Sequence, residues 1–285
     1  MGTPPDFNGL TVASFESRMA EEMTNLITRH GGRPMVAPAL REIPLENNAE
    51  ALRFGEHLLA GRVDMLVLLT GVGTRALAEV LETRVSRKEM TAALRRVSLV
   101  ARGPKPVAAL KDLGLSATLT VPEPNTWRDI IHTLDAHKPV KGLRVAIQEY
   151  GVPNHELVEA LKQRGAQVTR VPVYRWALPE DTGPLQRVLD AVAAGQVGVL
   201  LITNAAQIDH VMQVVEQGGR TDQFQRAVQR MVVASIGPTA SERLRSHGLP
   251  VDLEPSHPKM GILVKEASEQ AHRLLRKKRG TRNAE

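Results

Sequence analysis

Apolar residues in this chain follow two rhythms. Short apolar runs, the longest at 65–69 and 197–202, alternate with stretches in which apolar residues recur every three or four positions. The runs are bounded by Gly, Pro or polar residues and read as buried strands. The longer periodic stretches read as amphipathic helices. Near the start, 9–13 predicts a strand and 16–30 a helix stopped by Gly31 and Gly32, with an extended segment from Pro34 to Pro38. Further on, 142–147 predicts a strand, 156–164 a helix ended by Gly165, and 167–172 a second extended segment. Strands alternating with helices predict an α/β fold with parallel sheets covered by helices on both faces.

The pattern also repeats. Gly9 and Gly142 stand 133 residues apart, as do Gly32 and Gly165, and Thr70 and Thr203. Gly103 and Gly237 are 134 apart, each followed by Pro, and Leu113-Gly114-Leu115 and His247-Gly248-Leu249 keep that offset. One added residue over this many landmarks indicates an internal duplication. In parallel α/β folds ligands bind at the carboxyl ends of strands, where the chain enters the next helix. This marks 14–17, 70–75, 102–106, 148–154, 203–207 and 237–241 as the segments to watch.

Composition narrows the chemistry. The 285 residues include 42% hydrophobic and 24% charged positions, enough for packed cores and unlike a disordered chain. With no Cys, there is no disulfide framework, thiolate metal site or cysteine nucleophile. The net charge of +6 favours an anionic partner, while only 3% aromatic residues argues against stacked single-stranded bases. The apolar runs are too short to cross a bilayer, and residues 1–8 form no apolar signal segment, so a cytoplasmic chain is expected.

Several motifs carry candidate chemistry beside plainer readings. Gly103-Pro104-Lys105-Pro106 and Gly237-Pro238-Thr239-Ala240-Ser241 are helix entries. Exposed amides at a helix start favour an anion, and Arg102 and Lys105 add charge beside the first, although an ordinary helix start needs no ligand. Thr70-Gly71-Val72-Gly73-Thr74 lacks both the Gly-Lys-Ser/Thr of a P-loop and the third Gly of a dinucleotide fingerprint, leaving a carboxylate cradle or a plain turn. Tyr150 follows a strand, either reaching a ligand or packing beneath the loop, and Asn154 suits a helix N-cap. The nine His residues show no zinc-ligand spacing, and no Gly-x-Ser-x-Gly elbow is present. Segments 38–44 and 172–179, bracketed by Pro at equivalent points of the repeat, suit a two-strand link between domains. Tyr174 and Trp176 then lie beside an interdomain cleft or plug a core. The basic tail from Arg273 to Arg282 reads as a frayed, solvated end.

The duplicated halves, the two linking segments, Val173-Tyr174, and Ile236-Gly237-Pro238-Thr239 followed by His247-Gly248-Leu249-Pro250 resemble the uroporphyrinogen-III synthase family over about Gly9 to Ala271. The resemblance implies two similar parallel-sheet α/β domains joined by a two-stranded antiparallel linker, with the active site in the cleft. One domain is then 1–38 with 177–285, the other 45–171, and the linker strands 39–44 and 172–176. It further implies cyclisation of hydroxymethylbilane to uroporphyrinogen III with ring D inversion and loss of water, without metal or organic cofactor. The alternative is a non-catalytic binder of a tetrapyrrole or other polyanion with the same fold. By position, Tyr174 matches the family's proposed acid. The polycarboxylate substrate is expected to meet Thr70, Gly71, Thr74, Arg75, Arg102, Gly103, Lys105, Tyr150, Thr203, Asn204, Gly237, Thr239 and Ser241. Ser14-Phe15-Glu16 stands where many members carry Thr-Arg-Pro, Ala240 where a second Thr is common, and Pro106 where relatives often place a threonine. A monomer is expected, with nucleic acid not a partner.

Overall fold

The computed structural model describes residues 6–44, 48–151 and 154–281. In chain order the first elements are β1 (Thr11–Ser14), α1 (Ala20–Arg29), β2 (Arg33–Val36) and β3 (Arg41–Pro44). They are followed by α2 (Ala49–Leu59), β4 (Met65–Leu68), α3 (Gly71–Glu82), α4 (Arg87–Leu94), β5 (Ser98–Ala101), α5 (Pro104–Asp112), β6 (Leu119–Thr120) and α6 (Trp127–His137). Next come β7 (Arg144–Gly151), α7 (His155–Gln163), β8 (Gln167–Ala177), α8 (Gly183–Ala193), β9 (Val199–Ile202) and α9 (Ala205–Gln217). The chain closes with α10 (Thr221–Val228), β10 (Val232–Ser235), α11 (Pro238–Ser246) and α12 (Met260–Thr281).

The chain divides into two units, one of Met1–Arg41 with Ala177–Glu285 and the other of Glu42–Trp176. The first holds a sheet of order β10-β9-β1-β2, and the second sheet has order β3-β8-β7-β4-β5-β6. Read from the other edge, β5-β4-β7-β8 has the order of β10-β9-β1-β2, and these neighbours pair in parallel. The duplication therefore extends to strand order. It reaches the sheet margin, where Ala234 bridges Leu253 in parallel as Val100 pairs with Leu119, each partner 134 residues earlier. At the opposite edge of the six-stranded sheet, β3 lies beside β8.

Strand alternation builds a core on each face of each sheet. In β9, Leu200 and Ile202 face the helices α8 to α11, while Val199 and Leu201 face α1 and α12. In β4, Leu66 and Leu68 pack with Phe54, Leu77 and Met90, and Met65 and Val67 pack with Ile130, Leu134, Leu157 and Leu161. The two longest apolar runs contain fully buried central strands, as their unbroken apolar character requires.

Two local expectations need correction. The helix read over 16–30 begins only at Ala20, because Glu16 accepts the Met19 N–H at 3.2 Å and so lies ahead of the first turn. The basic tail is docked as far as Lys278. Its Nζ reaches Asp252 at 2.6 Å and donates to the Met231 carbonyl at 2.7 Å, while Ala267, Ala271 and Leu275 bury one face of α12. Arg282 lies outside the described residues. No described helix is long and apolar enough to cross a membrane.

Candidate active site

In the second unit the segment after β4 is a helix start with no free-standing loop. Thr70 caps α3 by accepting the Gly73 N–H at 3.0 Å, and the Thr74 hydroxyl donates to the Thr70 carbonyl at 2.7 Å. The two glycines admit close neighbours. A Cβ on Gly71 would stand 2.6 Å from the Lys105 carbonyl oxygen, so the first turns of α3 and α5 lie against one another. A Cβ on Gly73 would stand 2.0 Å from Nε2 of Gln148. Gln148 is fully buried, accepts the Thr70 N–H at 3.4 Å and donates to the Glu149 carbonyl at 2.6 Å. The end of β7 thus props the start of α3.

Gly103 opens α5, and Arg102 before it donates its N–H to the Leu68 carbonyl at 3.0 Å. With its carboxamide oriented to suit its neighbours, Asn125 donates to the Arg102 carbonyl at 2.7 Å and to that of Val121 at 2.9 Å. Lys105 is exposed, whereas Arg75 is engaged with Asp112 at 2.7 and 3.1 Å. Tyr150 belongs to β7, and its side chain lies outside the described residues.

The first unit repeats the arrangement with different parts. Asn204 caps α9 by accepting the Ala206 N–H at 3.0 Å. The Thr203 N–H donates to Gln207 Oε1 at 3.1 Å, and Gln207 Nε2 returns a bond to the Thr203 hydroxyl at 2.8 Å. That hydroxyl donates in turn to Glu16. After β10, the buried Ser235 hydroxyl donates to the Gly237 carbonyl at 3.1 Å, where α11 begins. Thr239 is exposed in its first turn. Ser241 is fully buried, and its hydroxyl has no partner among the described residues. Helix α9 packs against α11 as α3 packs against α5.

These caps determine which amides remain for a ligand. The first N–H groups of a helix have no intrahelical acceptor. In α3, Gln148 and Thr70 engage the N–H groups of Thr70 and Gly73, leaving Gly71 and Val72. In α5, Pro104 and Pro106 have no N–H, so Lys105 is the donor of that stretch. In α11, Pro238 has none and Ser241 returns to Gly237, leaving Thr239 and Ala240. Each pair of helix starts can therefore offer a few main-chain donors and a favourable dipole to carboxylates.

Tyr174 is 7% exposed and packs with Phe54, Leu81 and Val171 in the second unit's core. Its ring centroid is 6.5 Å from that of the partly buried Trp176, at an interplanar angle of 48°. Both rings therefore pack against the second unit's core, Tyr174 within it and Trp176 at its margin. Glu149 is also buried and is gripped by Arg170, whose Nε lies 2.8 and 2.9 Å from the two carboxylate oxygens. That contact holds the Arg170 guanidinium above its ordinary pKa.

Sequence reasoning did not find the roles of Gln148, Gln207 and the Glu149–Arg170 pair. One signal was present, since Glu16 and Glu149 keep the 133-residue offset. The two glutamines keep no such offset, because the same threonine amide is held by a residue 78 positions away in one unit and 4 away in the other.

A family model described as uroporphyrinogen-III synthase HemD matches residues 21–265. The uncharacterized protein YjjA of Bacillus subtilis is 28% identical over 262 residues, which make up 90% of this chain and 94% of that one. A mutant uroporphyrinogen III synthase from Thermus thermophilus superposes with a TM-score of 0.71 at 24% identity, covering 94% of this chain and 100% of that one. The wild-type enzyme in a second crystal form gives a TM-score of 0.56 at 25% identity, covering 94% and 99%. These solved structures share the two-domain α/β architecture with parallel sheets seen in this chain. The family model takes in most of both halves of the duplication, and the chain belongs to the uroporphyrinogen-III synthase family.

Proposed function

We propose that this protein cyclises hydroxymethylbilane to uroporphyrinogen III, inverting ring D and releasing water. The observation that supports this most is the paired arrangement of helix N-termini at the carboxyl ends of parallel strands, α3 with α5 and α9 with α11, in a chain of this family. Hydroxymethylbilane carries eight carboxylates, and main-chain amides with Arg102, Lys105 and the Thr239 turn suit such a ligand.

The chemistry asks more for positioning than for strong acids. The C–O bond of the hydroxymethyl group breaks with its electron pair on oxygen, which takes a proton and leaves as water. Tyr174 is the proposed donor or stabiliser in that step. The ring left behind is an azafulvenium cation. The substituted carbon of ring D attacks it, forming a spiro intermediate, and migration of the older bond followed by loss of a ring proton restores the pyrrole. Holding ring D so that its substituted carbon attacks first excludes direct closure. In this reading the substrate lies in a cleft between two domains linked by 39–44 and 172–176, the enzyme is monomeric and cytoplasmic, and nucleic acid is not a partner.

The deciding experiment supplies freshly generated hydroxymethylbilane to purified protein and separates product isomers by chromatography. Type III product is expected, and type I alone, the spontaneous isomer, overturns the reading. A second reading is a binder without turnover, favoured by the departures at Glu16, Pro106 and Ala240. Tight calorimetric binding of uroporphyrinogen with no type III product selects it.

A further inference from the structure

Each half of the duplication carries a carboxylate after the corresponding strand position, Glu16 at the end of β1 and Glu149 in β7, 133 residues apart. Their surroundings differ. Glu149 has the Arg170 guanidinium across both its oxygens. Glu16 has only neutral donors. Its Oε1 accepts the Met19 N–H at 3.2 Å, and its Oε2 accepts the Thr203 hydroxyl and, at 3.5 Å, Gln207 Nε2. Glu16 is half-buried, and among the described residues no Lys, Arg or His forms an ion pair with it. It stands beside the start of α9, at the carboxyl ends of the strands, where this fold class binds ligands.

A half-buried carboxylate without a counter-charge is costly, and that cost falls when a ligand brings an N–H donor or a positive charge. The dipoles of α1 and α9 and the three neutral donors orient the group without replacing such a partner. At the same point a ligand carboxylate is repelled. We propose that Glu16 accepts a hydrogen bond from a ring N–H of the ligand, a pyrrole nitrogen that becomes positively charged during reaction. This identification of the donor rests on the synthase reading, in which the azafulvenium cation carries such an N–H. Glu16 then has two effects: it keeps propionate and acetate arms away from the β1 end of the sheet, and it stabilises the cation as water leaves. A plain capping role for α1, through the Met19 bond alone, predicts neither effect.

The test compares two ligands by calorimetry on the full chain. Uroporphyrinogen I, kept reduced, offers both carboxylates and pyrrole N–H groups. Benzenehexacarboxylate offers carboxylates alone. Glu16→Gln is expected to weaken the porphyrinogen at least tenfold and to leave the benzene acid unchanged or tighter. Equal weakening of both ligands, or of neither, overturns the proposal. Thermal melting of Glu16→Gln checks its fold. Should it fail to fold, Glu16→Ala is measured in its place with the same two expectations, weaker porphyrinogen and unchanged or tighter benzenehexacarboxylate. Equal weakening of both ligands, or of neither, then overturns the proposal. The product-isomer assay on the unaltered chain tests the synthase reading separately, because ligand selectivity is measured without turnover.

Discussion

A Cβ on Gly73 would stand 2.0 Å from Nε2 of Gln148, so the first turn of α3 and the end of β7 fit together through a missing side chain. Gly73→Ala gains helix propensity but drives a fully buried carboxamide from its place. A net loss of about 2 kcal/mol is expected in urea unfolding. Because the displaced carboxamide also holds the Thr70 N–H, substrate binding should weaken too. Gln148→Ala in the same chain makes room, so the double variant should be more stable than the sum of the two losses predicts. Strict additivity would show that the contact carries no coupling.

Tyr174 tests the chemistry. Its ring is packed in the second core, so Tyr174→Phe keeps nearly all of the buried surface. Turnover of hydroxymethylbilane is expected to fall by roughly a hundredfold if the hydroxyl assists departure of the leaving oxygen. Near-native melting should accompany that loss. An unchanged rate would remove Tyr174 from the reaction.

Arg170→Met leaves the Glu149 carboxylate, whose side chain is 4% exposed, without its guanidinium. Because the Arg170 side chain is itself 43% exposed and water can partly replace it, its removal is expected to cost about 1–2 kcal/mol, more than removing both members. Glu149→Gln combined with Arg170→Met should therefore recover stability relative to the single variant. A double variant less stable than Arg170→Met would contradict this account.

Asp64 gives a pH dependence of known sign. Hydrogen bonds from the Arg144 side chain, at 2.6 and 2.9 Å, and from its backbone N–H, at 2.8 Å, lower the Asp64 carboxyl from 3.8 to about 2. A carboxyl whose folded value is depressed stabilises the protein above its unfolded value. That contribution is complete above about pH 5 and disappears as pH falls through 4 towards 2. Solvent reaches the pair, so on the order of 1 kcal/mol is at stake. Asp64→Asn should lower stability at neutral pH and flatten this part of the acid limb. Unfolding at pH 7, 4 and 3 measures both effects.

The structure shows which parts of the chain could be read locally. The unbroken burial of β4 and β9 and the Gly-Pro starts of α5 and α11 are written within ten residues or fewer, and they were legible. The glycines of 70–74 were legible only in part. A turn or a carboxylate cradle was readable there, but not that α3 already begins at Gly71, its first turn fitted to Lys105 and Gln148. The tail gave a similar lesson. Its charges suggest a solvated end, yet Lys278 is anchored by Asp252 and Met231, which lie far away in the chain.

By itself the sequence determined the alternation of strands and helices, their duplication and the segments that end up at the carboxyl end of each sheet. These follow from hydrophobic period and from the turn chemistry of Gly and Pro, which act between near neighbours. Tertiary structure alone decided which polar groups remain available there. Gln148 and Gln207 take the same threonine amide from different elements, and Arg170 neutralises Glu149 while its twin Glu16 keeps only neutral donors. Hydrogen-bond partnership depends on distance and direction between elements brought together by folding, and residue spacing along a repeat does not record either.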